Sequence, residues 1–160
     1  MSLDLTLTTK KPIIRKGTGI FIRENGETRE LQTIEEVRAH FPDADISEIE
    51  EIEYETYEIF DENITHNLGE MAENIYGDNY SLYTLLWRPE EKGFTKVNKC
   101  YIDNISECLA YMLIHRKELE QYNPKNGWGN YEGLLRFVTK LAYVLSEWDG
   151  EEEITIYADI

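Results

Sequence analysis

The chain has 160 residues, 41% of them apolar and 12% aromatic, and a formal charge of −16. That is the length of one ordinary domain, 1–160, able to bury a core without disulfides or a structural metal, and the composition is not that of a disordered chain. Its longest apolar runs, such as Leu109 to Ile114, fall far short of the roughly 20 residues a membrane-spanning helix needs, and so acidic a surface repels nucleic-acid phosphates and anionic membranes.

In chain order, Leu3, Leu5 and Leu7 alternate with Asp4, Thr6 and Thr8, which predicts a strand that Pro12 interrupts. Residues 19–23 lead into Asn25-Gly26, a strong hairpin signal, with 27–31 as the return strand. Thr33-Ile34-Glu35-Glu36 is a capping box opening a short helix, with Ile34, Val37 and Phe41 inward and Pro42 as its stop. Residues 49–60 then read as a half-buried strand, Ile52, Tyr54 and Thr56 on one face and Glu51, Glu53 and Glu55 on the other. The stretch 63–72 approaches a helix whose buried face is Leu68, Met71, Ala72 and Ile75. Gly77 to Asn79 breaks it, and 80–87 is a shorter aromatic-rich helix ended near Pro89. Residues 93–99 form a linker with some strand character, and Asp103 or Asn104 caps a helix to about His115 that buries Ile105, Leu109, Met112 and Leu113. A helical turn over 116–122, a turn-rich loop over 123–130, an amphipathic helix over 131–148 and a last strand, Ile154 to Tyr157, complete the chain. The expected architecture is α+β: an antiparallel sheet from the N-terminal half (1–62, acidic and strand-rich) plus the C-terminal strand, packed by the helices of residues 63–160.

Charge is concentrated in the first half. Between Glu24 and Glu62 there are fifteen acids against Arg29 and Arg38, leaving −13 in about a quarter of the chain. Glu48, Glu50, Glu51, Glu53, Glu55 and Glu58 suit a basic protein partner. They suit equally a solvated strand face that resists edge pairing. Cys100 and Cys108, with no CxxC pair and no Cys/His cluster, read as buried or half-buried thiols in a reduced compartment. Met1-Ser2-Leu3-Asp4 has the features of no signal peptide, so an intracellular location is expected.

Two clusters carry possible chemistry. Asn63-x-Thr65-His66-Asn67, at an expected helix start, combines hydrogen-bonding side chains with unpaired backbone amides, suited to an anion or carbonyl, or to ordinary capping. Asn123-Pro124-x-Asn126-Gly127-Trp128-Gly129-x-Tyr131-Glu132-Gly133 sets Trp128 and Tyr131 where they stack on a flat ring or, alternatively, where Trp128 plugs the core and the glycines only turn the chain. Trp87-Arg88-Pro89 offers a third pair, to stack or bind anions, unless Arg88 only neutralises Glu90 and Glu91. His40, His66 and His115 show no metal-ligand spacing, and no nucleotide-binding glycine motif or nucleophile elbow occurs, so neither metal nor cofactor is expected.

Taken in order, the 63–72 stretch, Leu86-Trp87-Arg88-Pro89-Glu90-Glu91 and the 123–133 stretch resemble a group of small phage- and prophage-encoded proteins without an assigned function. The resemblance covers roughly residues 60 to 148, with 74–84 longer than in that pattern and the acidic first half outside it. It implies an accessory protein of the bacterial host cytoplasm, and one shared site for the His66 and Trp128 clusters. Three functions follow as expectations. The first is a counter-defence protein that sequesters a small nucleotide-like ligand among Asn63, Thr65, His66, Asn67, Trp87, Arg88, Asn126, Trp128 and Tyr131. The second is an acidic nucleic-acid mimic that inhibits a basic host protein. The third, placed below the two binding readings, is a small hydrolase using His66 with a carboxylate. The oligomeric state is not legible in the sequence.

Overall fold

A computed structural model of the chain describes residues 1–12, 18–45 and 54–160. They fall into two compact units, Met1–Thr9 with Thr56–Ile160, and Lys10–Glu55. In chain order the described elements are β1 (Ser2–Pro12), β2 (Phe21–Glu24), β3 (Glu27–Glu30), α1 (Ile34–His40), β4 (Tyr54–Thr65), a 3-10 turn (His66–Leu68), α2 (Gly69–Glu73), α3 (Leu82–Trp87), a second 3-10 turn (Pro89–Lys92), α4 (Lys99–Ile114), α5 (Arg116–Glu120), α6 (Tyr131–Ser146) and β5 (Ile154–Asp159).

The larger unit is α+β. Its sheet has the order β4-β1-β5, and β1 pairs antiparallel with β5 from Asp4↔Asp159 to Thr9↔Ile154. The alternation in β1 works as the sequence predicts: Leu3, Leu5 and Leu7 are fully buried, while Asp4 is exposed and Thr6 and Thr8 are half-buried. Those leucines share one core with Leu68, Met71, Ala72 and Ile75, with Leu82, Leu85 and Leu86 of α3, and with Leu134, Val138, Leu141 and Leu145 of α6. Helices α4 and α6 pack together beside them. The strand character of the 93–99 linker is realised on the edge of β5, where Val97 N–H donates to Ile154 O at 2.8 Å and Ile156 N–H to Thr95 O at 2.9 Å.

In the smaller unit β2 and β3 form a separate antiparallel pair joined at Asn25-Gly26. Both turn residues take positive φ, 53° and 83°, as a tight hairpin of this twist requires. Thr33 caps α1 by accepting from Glu36 N–H at 3.2 Å, but Glu36 reaches back one residue further than a capping box would, to Gln32 N–H at 3.2 Å. Val37 is buried, and Phe41, expected inward, is exposed.

Three local expectations shift. Helix α4 starts at Lys99, capped by Asn98, whose Oδ1 accepts from Tyr101 N–H at 2.8 Å. Asp103 instead pairs with Lys99 one turn back, and Asn104 is buried, accepting from Asn79 and Tyr80 N–H at 3.1 and 3.3 Å. A lysine in the first turn opposes the helix dipole, which hides this start from a reading by charge. Strand β4 runs on to Thr65, past the expected end at residue 60. Tyr54, Glu55, Thr56, Tyr57 and Glu58 are all exposed, so burial alternates only from Ile59 onward. Glu51, Ile52 and Glu53 of the expected alternation lie outside the described residues. Finally, Leu113 is exposed, and Cys100 is an exposed thiol while Cys108 is buried, its pKa pushed up to about 12 by burial.

Candidate functional site

Two segments far apart in sequence build one groove. At the end of β4, Phe60 and Ile64 enter the core, so period-two alternation sends Asn63 and Thr65 to the other face. The strand stops at Thr65, whose hydroxyl accepts from the backbone and side-chain N–H groups of Asn67 at 3.4 and 3.3 Å. That bond turns the chain into the 3-10 turn, and His66 N–H donates to Met1 O at 3.2 Å.

The second segment is the loop from Asn123 to Asn130. Its asparagines spend their side-chain oxygens on nearby backbone amides, Asn126 on Trp128 N–H within the loop and Asn123 and Asn130 on Tyr131 N–H and Gly133 N–H in the first turn of α6, at 2.9, 2.8 and 2.8 Å. Gly129 has φ +92°, and a Cβ built there would lie 2.5 Å from Thr65 Cγ2 and 3.1 Å from Leu68 Cγ. This glycine therefore lets the loop seat against the end of β4, rather than against a ligand. Trp128 beside it is left 69% exposed. It does not plug the core.

The outcome is an open groove of about 660 Å³ lined by Asn63, Thr65, His66, Asn67, Asn126 and Trp128, with Met1 and Ser2. Among the described residues, no Asp, Glu, Lys or Arg side chain contributes to the lining. A flat exposed indole and several amide and hydroxyl groups are suited to a ring that carries hydrogen-bonding edges.

His66 is held from behind. The Trp87 indole N–H donates to His66 Nδ1 at 3.1 Å. Neutral His66 therefore carries its own proton on Nε2 and presents a donor. Among the described residues, the Nε2 position has no protein partner. A general base needs an imidazole lone pair, and that lone pair is committed to Trp87. Trp87 itself is only 1% exposed and stacks on Tyr83 at 5.4 Å with the rings 8° from parallel. It supports the groove without lining it.

The remaining expected site residues separate from the groove. Tyr131 is 2% exposed, and its hydroxyl donates to Met112 O at 2.6 Å. Burial raises the pKa of this phenol, and Arg116 lies 5.2 Å over its ring. Tyr131 anchors α6 in the core and has no face to offer a ligand, because its ring begins the buried stripe of that helix. Arg88 is half-buried, paired with Glu91 at 3.7 Å and hydrogen-bonded to Tyr83, which keeps its pKa above the usual value. It does not reach the groove lining. In the acidic row, Glu55 and Glu58 are exposed, and Glu48, Glu50, Glu51 and Glu53 lie outside the described residues.

A second cleft adjoins the first, sharing Asn63 and Thr65 with it and adding Glu62, Arg136 and Lys140. The i, i+4 spacing of Arg136 and Lys140 on α6 was the sequence signal that could have found it. Among the described residues no group of three or more His, Cys, Asp or Glu side chains is placed to hold a metal ion. No described helix is long and apolar enough to cross a membrane. Comparison with family models, with curated proteins and with solved structures finds no match to this chain.

Proposed function

We propose that this protein binds a small ligand bearing a flat, hydrogen-bonding ring, stacked on Trp128 and read by Asn63, Asn67 and the Nε2–H of His66. The observation that carries this reading is the exposed Trp128 in the same groove as a histidine whose neutral tautomer is set by buried Trp87, a groove that no described Asp, Glu, Lys or Arg side chain lines. Tryptophan has only two side-chain torsions to order, so stacking a flat ring on the exposed indole costs little conformational entropy. With the resemblance to phage-encoded accessory proteins, the proposed role is sequestration of a nucleotide-like signal in an infected bacterial cell. Catalysis by His66 is disfavoured by the use of its lone pair, so binding is the activity proposed.

Native mass spectrometry of protein purified from a bacterial host tests this reading. The expected result is an added mass that is lost on mild denaturation and absent in Trp128→Ala, which keeps its fold because the ring is exposed. An added mass that persists unchanged in both Trp128→Ala and His66→Ala would move the ligand elsewhere. The second reading, an acidic inhibitor of a basic protein, is favoured by the exposure of Glu55 and Glu58. It requires a complex that weakens steeply with salt.

A further inference from the structure

The cleft beside the ring groove has a different chemistry. It encloses about 460 Å³ and is lined in part by Glu62, Asn63, Thr65, Gly133, Arg136 and Lys140. Gly133, Arg136 and Lys140 recur at three- and four-residue spacing, so they stand on one face of α6. Gly133 puts no side chain into the space, and its amide is already bonded to Asn130 Oδ1. The helix start therefore offers nothing here, and recognition falls to the two cations. Arg136 is exposed and uses only Nε, to Glu132 O at 3.4 Å, so its two terminal nitrogens have no partner among the described residues. Lys140 is ion-paired with Glu62. Two cations against one carboxylate make this cleft locally positive in a chain of charge −16.

On the other side of Asn63 the surface is acidic, with Asp4, Asp61 and Glu62 lining a third cleft. An anionic group attached to a ring on Trp128 would thus meet cations in one direction and carboxylates in the other. We infer that the ligand is a nucleoside phosphate, its base on Trp128 and its phosphate on Arg136 and Lys140. This rests on the ring-binding reading above. A guanidinium whose two terminal nitrogens are both unused keeps one N–H edge that matches a phosphate bidentately. The phosphate replaces Glu62 as the partner of Lys140, so Glu62 acts as a counter-ion that sets how tightly the phosphate is held.

Calorimetric titration of the whole chain with adenosine, guanosine, cytidine and uridine, and with their 5′-monophosphates, tests the assignment. At least one monophosphate is expected to bind about tenfold or more tightly than its own nucleoside, the size of one charge-assisted hydrogen bond or more. That ratio should fall to near unity in the double variant Arg136→Gln, Lys140→Gln, with nucleoside affinity kept, and rise in Glu62→Gln. These residues are at the surface, and an unchanged melting temperature confirms the fold of each variant. Equal binding of nucleoside and monophosphate, or a preference that survives in the double variant, overturns the phosphate subsite while leaving the ring groove standing. Failure of both series to bind overturns the ring groove, and this inference with it.

Discussion

Replacing Gly129 by alanine tests the joint that brings the two halves of the groove together. The residue sits at φ +92°, which costs a residue with a Cβ about 1–2 kcal/mol. The added methyl also lands 2.5 Å from Thr65 Cγ2 and 3.1–3.2 Å from Leu68. Thr65 cannot turn its methyl away without surrendering the hydroxyl that accepts from Asn67. Forcing a methyl into such a contact costs about 1–3 kcal/mol more. Gly129→Ala should therefore lose about 2–5 kcal/mol in urea unfolding. Gly127 is the control: its φ is +76°, but nothing lies within 4 Å of a Cβ built there. Gly127→Ala should lose only the conformational part, about 1–2 kcal/mol. Thr65→Ser removes the clashing methyl and keeps the capping oxygen, so in a double-mutant cycle it should recover roughly 1 kcal/mol or more of the Gly129→Ala loss. Equal losses at Gly127 and Gly129, with no coupling to Thr65, would refute the close approach.

Other parts of the molecule make independent predictions. Trp87→Phe removes the one hydrogen bond to His66 Nδ1 among the described residues and leaves a cavity where the larger ring was buried, and should cost about 2–4 kcal/mol; nitrogen NMR should show neutral His66 as the Nε2–H tautomer in the parent and a mixture in the variant. Asn104→Ala strands the amides of Asn79 and Tyr80 and should cost about 2–4 kcal/mol, with faster hydrogen exchange at those two amides. A thiol reagent near pH 8 should label exposed Cys100 quickly and reach Cys108 only on unfolding, since Cys108 is buried and its pKa is pushed up to about 12. Asp149 accepts from the amides of Glu152 and Glu151 at 2.7 and 2.9 Å, which lowers its pKa. Its contribution to stability is present above the ordinary aspartate value and is lost as pH falls through the lowered one. The deficit of Asp149→Ala should accordingly be seen at neutral pH and vanish below that lowered value, and a deficit that stays constant with pH would count against it.

Most of the secondary structure is written locally. The leucine alternation of β1, the Asn25-Gly26 turn, the Thr33 cap and the stripe of Leu134, Val138, Leu141 and Leu145 each depend on neighbours within a few residues, so spacing alone exposes them. The start of α4 was not legible in this way: the sequence points to Asp103 or Asn104 as the cap, whereas Asn98 caps the helix and Asn104 is spent on the amides of residues 79 and 80. The groove was legible as two polar, aromatic motifs, but not the fate of each side chain in them. Trp87, Trp128 and Tyr131 look alike as ring-bearing candidates. One braces His66 from the core, one stands in solvent and one is buried against Met112, because burial depends on what the rest of the chain places over each ring. The contact that joins the two motifs, Gly129 on Thr65, links residues distant in sequence. No periodicity reaches across that separation, and only the packing of α6 against the sheet core determines it.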